Sequence, residues 1–117
     1  DLAKSNNYFR QVISTNQYSQ VVLMSLLAGE DIGLETHPDV DQILIFVAGQ
    51  GSAVLNGVTS QITAGDLVVV PAGTEHNFIN QGDGEMKLYT VYAPAEHRDG
   101  TIHKTKAEAL ADTEDHQ

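Results

Sequence analysis

Short apolar segments separated by closely spaced turn residues constrain the fold of this chain more than any other feature. The segments are rich in Val, Ile and Tyr, and Gly, Pro, Asn or Asp interrupts them about every eight to twelve residues. This spacing is typical of an antiparallel β-sandwich or β-barrel. The predicted strands are QVVLMSLLAG, QILIFVAGQG, GSAVLNG, VTSQITAG, DLVVVPAG, HNFINQG and MKLYTVYAP. The sequence therefore predicts an all-β fold.

The connection between GSAVL and VTSQI carries the clearest local signal. Asn56 and Gly57 form a two-residue loop there. Both central positions of a type I′ turn need positive φ, which Asn and Gly tolerate best. We therefore expect a β-hairpin at this point.

The C-terminal segment differs from the rest of the chain. Residues 105–117 contain Ala, Leu, Glu and Lys, which favour helices, and Thr105 at the start of this range is a suitable N-cap. We expect a short helical or irregular tail over about residues 104–117, partly disordered at its acidic end.

Composition limits the classes of function. The 117 residues correspond to one domain, and the absence of cysteine excludes disulfides and thiolate metal sites. Sixteen acidic residues against six basic ones give a net charge of −10, which repels nucleic acid and anionic membrane surfaces. No apolar run is long enough to span a bilayer, and the first residues lack the apolar core of a signal peptide. We expect a soluble cytoplasmic protein that binds neither nucleic acid nor membranes.

Polar side chains that can bind metal occur on predicted strands next to turns. Because side chains alternate along a strand, Glu35 and His37 share one face, and Gln42 begins the set that shares a face on the next strand. The Pro- and Asp-rich turn at residues 38–41 can fold the chain back and bring these faces together. His76 lies on a later strand, just beyond a Pro-x-Gly turn.

Imidazole nitrogen, carboxylate oxygen and amide oxygen all bind divalent ions. A single histidine on a half-buried strand is nevertheless more often a hydrogen-bonded structural residue than a ligand. The metal interpretation requires that the fold bring the two segments together, and the periodicity alone does not show this.

The later segment resembles a signature motif of the cupins, small β-barrels in which two motifs supply metal ligands from neighbouring strands. That motif is Gly, five residues, Pro, one residue, Gly, two residues, His, three residues, Asn. The chain matches it at Gly65, Pro71, Gly73, His76 and Asn80 with every spacing kept.

The other cupin motif is roughly His, one residue, His, three or four residues, Glu, six residues, Gly. The chain answers it with Glu35, His37, Gln42 and Gly49, so the spacing fits but two ligand types have changed. The resemblance covers about residues 20–95. It implies an antiparallel double-stranded β-helix, or jelly-roll barrel, with residues 1–117 as a single cupin domain.

The resemblance implies one divalent transition metal ion, Fe, Mn, Ni, Cu or Zn, held by His37, His76, Gln42 and Glu35. Gln42 is either a weak ligand or a group that orients a bound water, and we favour it over Asp41, which should face the other way on the strand. Glu35 has three interpretations. It coordinates the ion, acts just outside it as a general base, or pairs with a nearby cation.

Aromatic residues on the same strands complete the predicted site. Phe46, Phe78 and Tyr92 are expected in the core or in the wall of a substrate pocket. His97 and His103 lie beyond the last barrel strand, and we expect them to be surface histidines rather than a second metal site.

Cupins include dioxygenases, isomerases, lyases and modules that only bind a small molecule. The resemblance therefore favours a metal-dependent enzyme, dioxygenase-like or isomerase-like, that acts on a small oxygen-bearing molecule. A non-catalytic module that binds a small molecule or a metal is the alternative. The resemblance also implies a homodimer, for which the N-terminal strand NNYFRQVIS offers an edge to a neighbouring copy.

Overall fold

Two antiparallel β-sheets form the described part of the chain, residues 2–112 of the computed structural model. The elements in chain order are α1 (Leu2–Ser5), β1 (Arg10–Thr15), β2 (Gln20–Leu26), β3 (Glu35–Thr36), β4 (Asp41–Ala48), β5 (Gln50–Leu55), β6 (Val58–Thr63), β7 (Leu67–Val70), β8 (Glu75–Asn80), β9 (Met86–Ala93), β10 (Ile102–His103) and α2 (Lys106–Ala111).

The large sheet has the strand order β10-β1-β2-β9-β4-β7, and the small sheet has the order β3-β8-β5-β6. Strands that are neighbours in a sheet are mostly distant in sequence, as in a jelly roll. The predicted all-β barrel is therefore confirmed. The predicted barrel core of about residues 20–95 corresponds to β2 through β9, and β1 and β10 extend the large sheet from outside that range.

Alternation of side chains explains how the two sheets share one core. On β4, Gln42, Leu44 and Phe46 are buried, while the residues between them are only half-buried. On β8 of the small sheet, His76, Phe78 and Asn80 are the buried set. The ring centroids of Phe46 and Phe78 lie 5.8 Å apart, so the inward faces of the two sheets pack directly on each other.

Local signals in the sequence correspond to the observed turns and caps. Asn56 has φ 48° and Gly57 has φ 82°, so the predicted hairpin between β5 and β6 is confirmed. The hydroxyl of Thr105 accepts a hydrogen bond from the Glu108 N–H and caps α2, as predicted. The expected disorder at the end of the tail falls on residues 113–117, which lie outside the described residues.

The N-terminal strand β1 is paired on both sides over its first residues, and its use as a dimer edge stays a prediction. Arg10 and Gln11 of β1 pair with β10 on one side and with β2 on the other, and the Val12 N–H donates to the Thr101 carbonyl. A neighbouring copy therefore finds these backbone groups already bonded. Within residues 2–112, no helix is long and apolar enough to cross a bilayer.

A close backbone contact at Gly51 gives a test of this fold. An added Cβ would lie 2.0 Å from the Ile79 carbonyl oxygen on β8 and 3.1 Å from the Met86 sulfur. Because β8 cannot move away without losing its pairing with β5, we expect Gly51→Ala to lower the free energy of unfolding by at least about 2 kcal/mol. Urea denaturation measures this loss.

Gly84→Ala is the matched control, because nothing lies within 4 Å of a Cβ added there. It should change the free energy of unfolding by less than about 0.5 kcal/mol. Equal losses for the two variants would show that β5 and β8 do not approach each other in this way.

Candidate metal centre

A row of polar side chains closes one end of the barrel. Gln20, Tyr92 and Gln42 are consecutive cross-strand partners on β2, β9 and β4. They are 0%, 2% and 2% exposed, so all three face the interior. Cross-strand partners on one face of a sheet are in direct contact. The large sheet therefore supplies a continuous polar layer at this end.

His37 and His76 lie together in the barrel interior, next to this polar layer. Both are buried, and their ring centroids are 5.1 Å apart. His76 is on β8, whereas His37 directly follows the short strand β3. The Gly73 N–H donates to the His37 carbonyl at 2.8 Å, which ties the turn before His76 to the backbone of His37. The His37 ring also meets the Tyr92 ring edge-on at 6.0 Å.

Hydrogen bonding and burial favour an unprotonated nitrogen on His76. Its Nδ1 lies 2.9 Å from the Thr74 carbonyl oxygen. A carbonyl can only accept, so Nδ1 carries the proton and Nε2 of the neutral ring has a free lone pair. Burial is the main cause that lowers the pKa of His76, and the neighbouring His37 lowers it further. The Thr74 carbonyl and the Glu35 carboxylate act in the opposite direction. The ring is therefore neutral at pH 7, the form that binds metal.

Gln42 presents a buried acceptor that the protein leaves unused. Its Nε2 donates to the Thr90 hydroxyl at 3.1 Å, and that hydroxyl donates onward to the Ile43 carbonyl. Its Oε1 accepts no hydrogen bond from any residue in the described range 2–112. An unsatisfied buried acceptor costs about 1–3 kcal/mol. Asp41 is exposed and accepts from the Ala72 N–H, so it faces away from this site as predicted.

Glu35 lies at the edge of the same cluster. It is half-buried and is the cross-strand partner of His76. It also lines a cavity of about 200 Å³ that lies between β1, the segment around β3, and α2. The other residues that line this cavity include Phe9, Arg10, Ile32, Leu34, Lys106 and Leu110.

The imidazole nitrogens of His37 and His76 and the amide oxygen of Gln42 are atom types that bind divalent ions. No group of three His, Cys, Asp or Glu side chains within residues 2–112 is arranged to hold a metal ion. The cluster instead brings the His37 and His76 imidazoles together. The His37 ring contacts Tyr92, and Tyr92 is the cross-strand partner of Gln42, whose buried oxygen lacks a hydrogen-bond partner within residues 2–112. Neutral imidazole and amide oxygen are both accepted ligands of transition ions. The roles of these residues and of Glu35 as ligands stay predictions.

The expectation that His97 and His103 are surface residues is wrong, since they are 3% and 4% exposed. His97 Nε2 lies 3.3 Å from the Tyr92 hydroxyl, so it belongs to the polar end of the barrel. His103 lies elsewhere, between Arg10 and Asp112, with Nδ1 3.3 Å from the Arg10 guanidinium and Nε2 2.9 Å from the Asp112 carboxylate. Each imidazole is thus buried with polar partners, which offset the cost of removing it from water.

Sequence reasoning also missed Glu96, whose Oε2 lies 3.4 Å from His37 Nδ1. No motif in the sequence singles this residue out. The predicted pocket residues Phe46 and Phe78 belong to the hydrophobic core, and Phe78 lies 6.1 Å from His76 between ring centroids. Contact of these two rings with a substrate stays a prediction.

The lowered pKa of His76 gives a pH test on the metal-free protein. We expect this ring to titrate below about pH 6.5, the ordinary value. As pH falls through that value, the unfolded chain gains a proton at residue 76 before the folded chain does. Because of His76, the free energy of unfolding therefore decreases as the pH is lowered from about 6.5 to the pKa of the folded state.

The ring titration is measured by NMR and the stability by urea unfolding. Between about pH 7.5 and pH 5.5, the native protein should lose more free energy of unfolding than His76→Gln does. An equal loss in the two proteins, or a His76 midpoint above the ordinary value, would contradict the assignment.

Known proteins share this fold over most of the chain. A solved structure from Bacillus halodurans, the protein BH2720, superimposes with a TM-score of 0.93 at 40% identity, covering 94% of this chain and 88% of that chain. The uncharacterized protein YrkC of Bacillus subtilis (strain 168) is 46% identical over 92% of this chain and 61% of its own length. The uncharacterized protein L612 of Acanthamoeba polyphaga mimivirus is 45% identical over 83% of this chain and 63% of its own length.

The chain thus spans about three fifths of the length of these two curated relatives. Residues 22–92 match the family described as Cupin domain, a range that runs from β2 through β9. Together with the jelly-roll topology and the two histidines that meet inside it, this match shows that the chain belongs to the cupin family.

Proposed function

We propose that this cupin binds one divalent transition metal ion and is a metal-dependent enzyme acting on a small oxygen-bearing molecule. The observation that carries the proposal is the pair of buried imidazoles, 5.1 Å apart. The His37 ring contacts Tyr92, whose cross-strand partner Gln42 has a buried amide oxygen with no partner in residues 2–112. Buried polar atoms are rarely left unsatisfied unless something binds them.

His37, His76 and Gln42 would hold the ion, which is Fe, Mn, Ni, Cu or Zn. With so few protein ligands, coordination positions remain for a substrate. When bound, the ion would supply a Lewis acid that polarises a carbonyl or enolate oxygen. Tyr92 and His97 are buried at this end of the barrel and lie within hydrogen-bond distance of each other.

Glu35 is proposed as the general base, because it is the cross-strand partner of His76 and also lines a cavity. At about 200 Å³, that cavity has room for a compound of several heavy atoms, since a water occupies about 30 Å³ in the liquid. Because His37, His76 and Gln42 do not line this cavity, Glu35 would accept a proton from a substrate that extends from the two histidines towards it. An isomerisation by proton transfer requires such a base, and an oxygen-dependent cleavage can use one to ionise its substrate.

A non-catalytic module that binds a metal or a small molecule is the second candidate. It is favoured by the absence, among residues 2–112, of a third His, Cys, Asp or Glu side chain arranged with the two histidines to hold a metal ion. Turnover of a panel of small hydroxy- and oxo-compounds, under air and under argon, distinguishes the candidates. Turnover in both atmospheres indicates an isomerase, turnover in air alone indicates an oxygenase, and none leaves the binding module.

A cytoplasmic homodimer remains part of the proposal. The absence of cysteine is compatible with a reducing compartment. Light scattering should give a particle mass of twice the 12.6 kDa chain. A mass of 12.6 kDa would remove the dimer from the proposal.

Metal content tests the site itself. Protein prepared without added metal and without an affinity tag should carry close to one transition ion per chain, and His76→Ala should lose it, because one imidazole and one amide bind weakly. Elemental analysis measures the content, and circular dichroism verifies the fold. His103→Gln, which removes a buried histidine outside the cluster, should keep the ion. Retention of metal by His76→Ala would place the metal elsewhere.

Gln42 can be tested by adding charge. Gln42→Glu should bind the ion at least about tenfold more tightly, because a carboxylate is a stronger ligand than an amide oxygen. Gln17→Glu adds the same charge at an exposed position and should leave the affinity unchanged. Calorimetric titration with Zn²⁺ compares the variants, and equal affinities for Gln42→Glu and the native protein would remove Gln42 from the ligand set.

A further inference from the structure

The segment after β9 is held over the polar end of the barrel by one buried side chain. The Gln20 Oε1 accepts from the Glu96 N–H at 3.2 Å and from the His97 N–H at 3.0 Å, and its Nε2 donates to the His97 carbonyl at 2.7 Å. Gln20 also donates to the Thr15 hydroxyl at 2.9 Å. With Gln20 fully buried, these bonds fix the backbone of residues 96–97 relative to the sheet.

The fixed segment places the Glu96 carboxylate beside His37. The Glu96 Oε2 lies 3.4 Å from His37 Nδ1, and the two side chains are 14% and 8% exposed. A carboxylate that is shielded from water is a strong acceptor, so it favours the imidazole form with the proton on Nδ1. The Nε2 of His37 then carries the lone pair.

His76 reaches the same state by another route, since its Nδ1 donates to the Thr74 carbonyl. Each ring therefore has an acceptor at Nδ1, which is the Thr74 carbonyl for His76 and the Glu96 carboxylate for His37. Histidines that bind metals commonly donate their second N–H to such an acceptor, and this contact sets the ring's tautomer and orientation.

We propose that Glu96 is a positioning residue that holds His37 in the Nδ1-protonated tautomer, which leaves the lone pair of Nε2 available to a ligand. This inference rests on the proposed metal site, because the tautomer matters only if Nε2 has a ligand to bind. Glu96 itself stays outside the ligand set. Gln20 supports it indirectly by fixing the backbone of residues 96–97.

Long-range ¹H–¹⁵N NMR on the metal-free protein reads the tautomer of His37 directly. In the neutral form of the ring, His37 of the native protein should carry its proton on Nδ1. In Glu96→Ala the acceptor is gone, so the proton should divide between the two nitrogens. Glu96→Gln keeps an amide oxygen of similar shape and should restore much of the native tautomer. Asp99→Ala removes an exposed carboxylate from the same segment and should leave His37 unchanged.

Calorimetric titration with Zn²⁺ gives the second measurement. Affinity should fall about 10- to 100-fold in Glu96→Ala and less in Glu96→Gln, with Asp99→Ala at the native value. If Glu96→Ala does not fold, Glu96→Gln serves as the test, with a smaller fall in affinity and some loss of the single tautomer.

A native His37 protonated on Nε2, or a tautomer that Glu96→Ala and Glu96→Gln both leave unchanged, would overturn the role of Glu96. Failure of the native protein to bind any transition ion is a different result. It would remove the proposed function, while the tautomer measured without metal would still decide whether Glu96 orients His37.

Discussion

The candidate site depends on the burial of amide and imidazole groups at one end of a barrel whose remaining interior is mostly apolar. Gln20 and Gln42 stand on either side of Tyr92 in the same cross-strand row, but they are satisfied to different extents. Gln20 uses both of its polar atoms in bonds to the chain. Gln42 uses only its nitrogen within residues 2–112. Since both side chains are removed from water, the unpaired Gln42 oxygen costs free energy that the fully bonded Gln20 does not.

The cupin motif residues divide between this site and the scaffold. The Gly73 N–H bonds to the His37 carbonyl, so the turn glycine joins the backbones of the two motifs. Asn80, at the other end of β8, donates to the Leu26 and Gly84 carbonyls and accepts from the Gly82 N–H. Its side chain thus holds loops together far along the strand from His76, while its neighbour in the motif supplies the imidazole. Because His76 and Asn80 are an even number of positions apart on β8, both side chains point to the same, buried face of the strand.

Local patterns predicted the strands from β2 to β9, because alternation and turn chemistry act over a few residues. The positions of His37 and His76 followed from the motif spacing. The roles of His97, His103 and Glu96 did not, because each depends on a distant partner. Gln20, which holds residues 96–97, is 76 and 77 positions away, and His103 is buried by pairing with Arg10 across 93 positions. A composition of mostly exposed residue types around them predicts a surface loop.

The same burial that shapes the site also links its occupancy to stability. Desolvation lowers the pKa of His76, which opposes folding as the pH falls below about 6.5. The Gln42 oxygen is unsatisfied within the described chain, which opposes folding of the metal-free protein at any pH. A ligand that bonds to these atoms only in the folded state stabilises that state by RT ln(1 + [L]/Kd), about 2.7 kcal/mol at a hundredfold excess over Kd. The barrel thus tolerates a poorly satisfied interior because its apolar layers, from Leu44 and Phe46 to Phe78, hold the two sheets together without it.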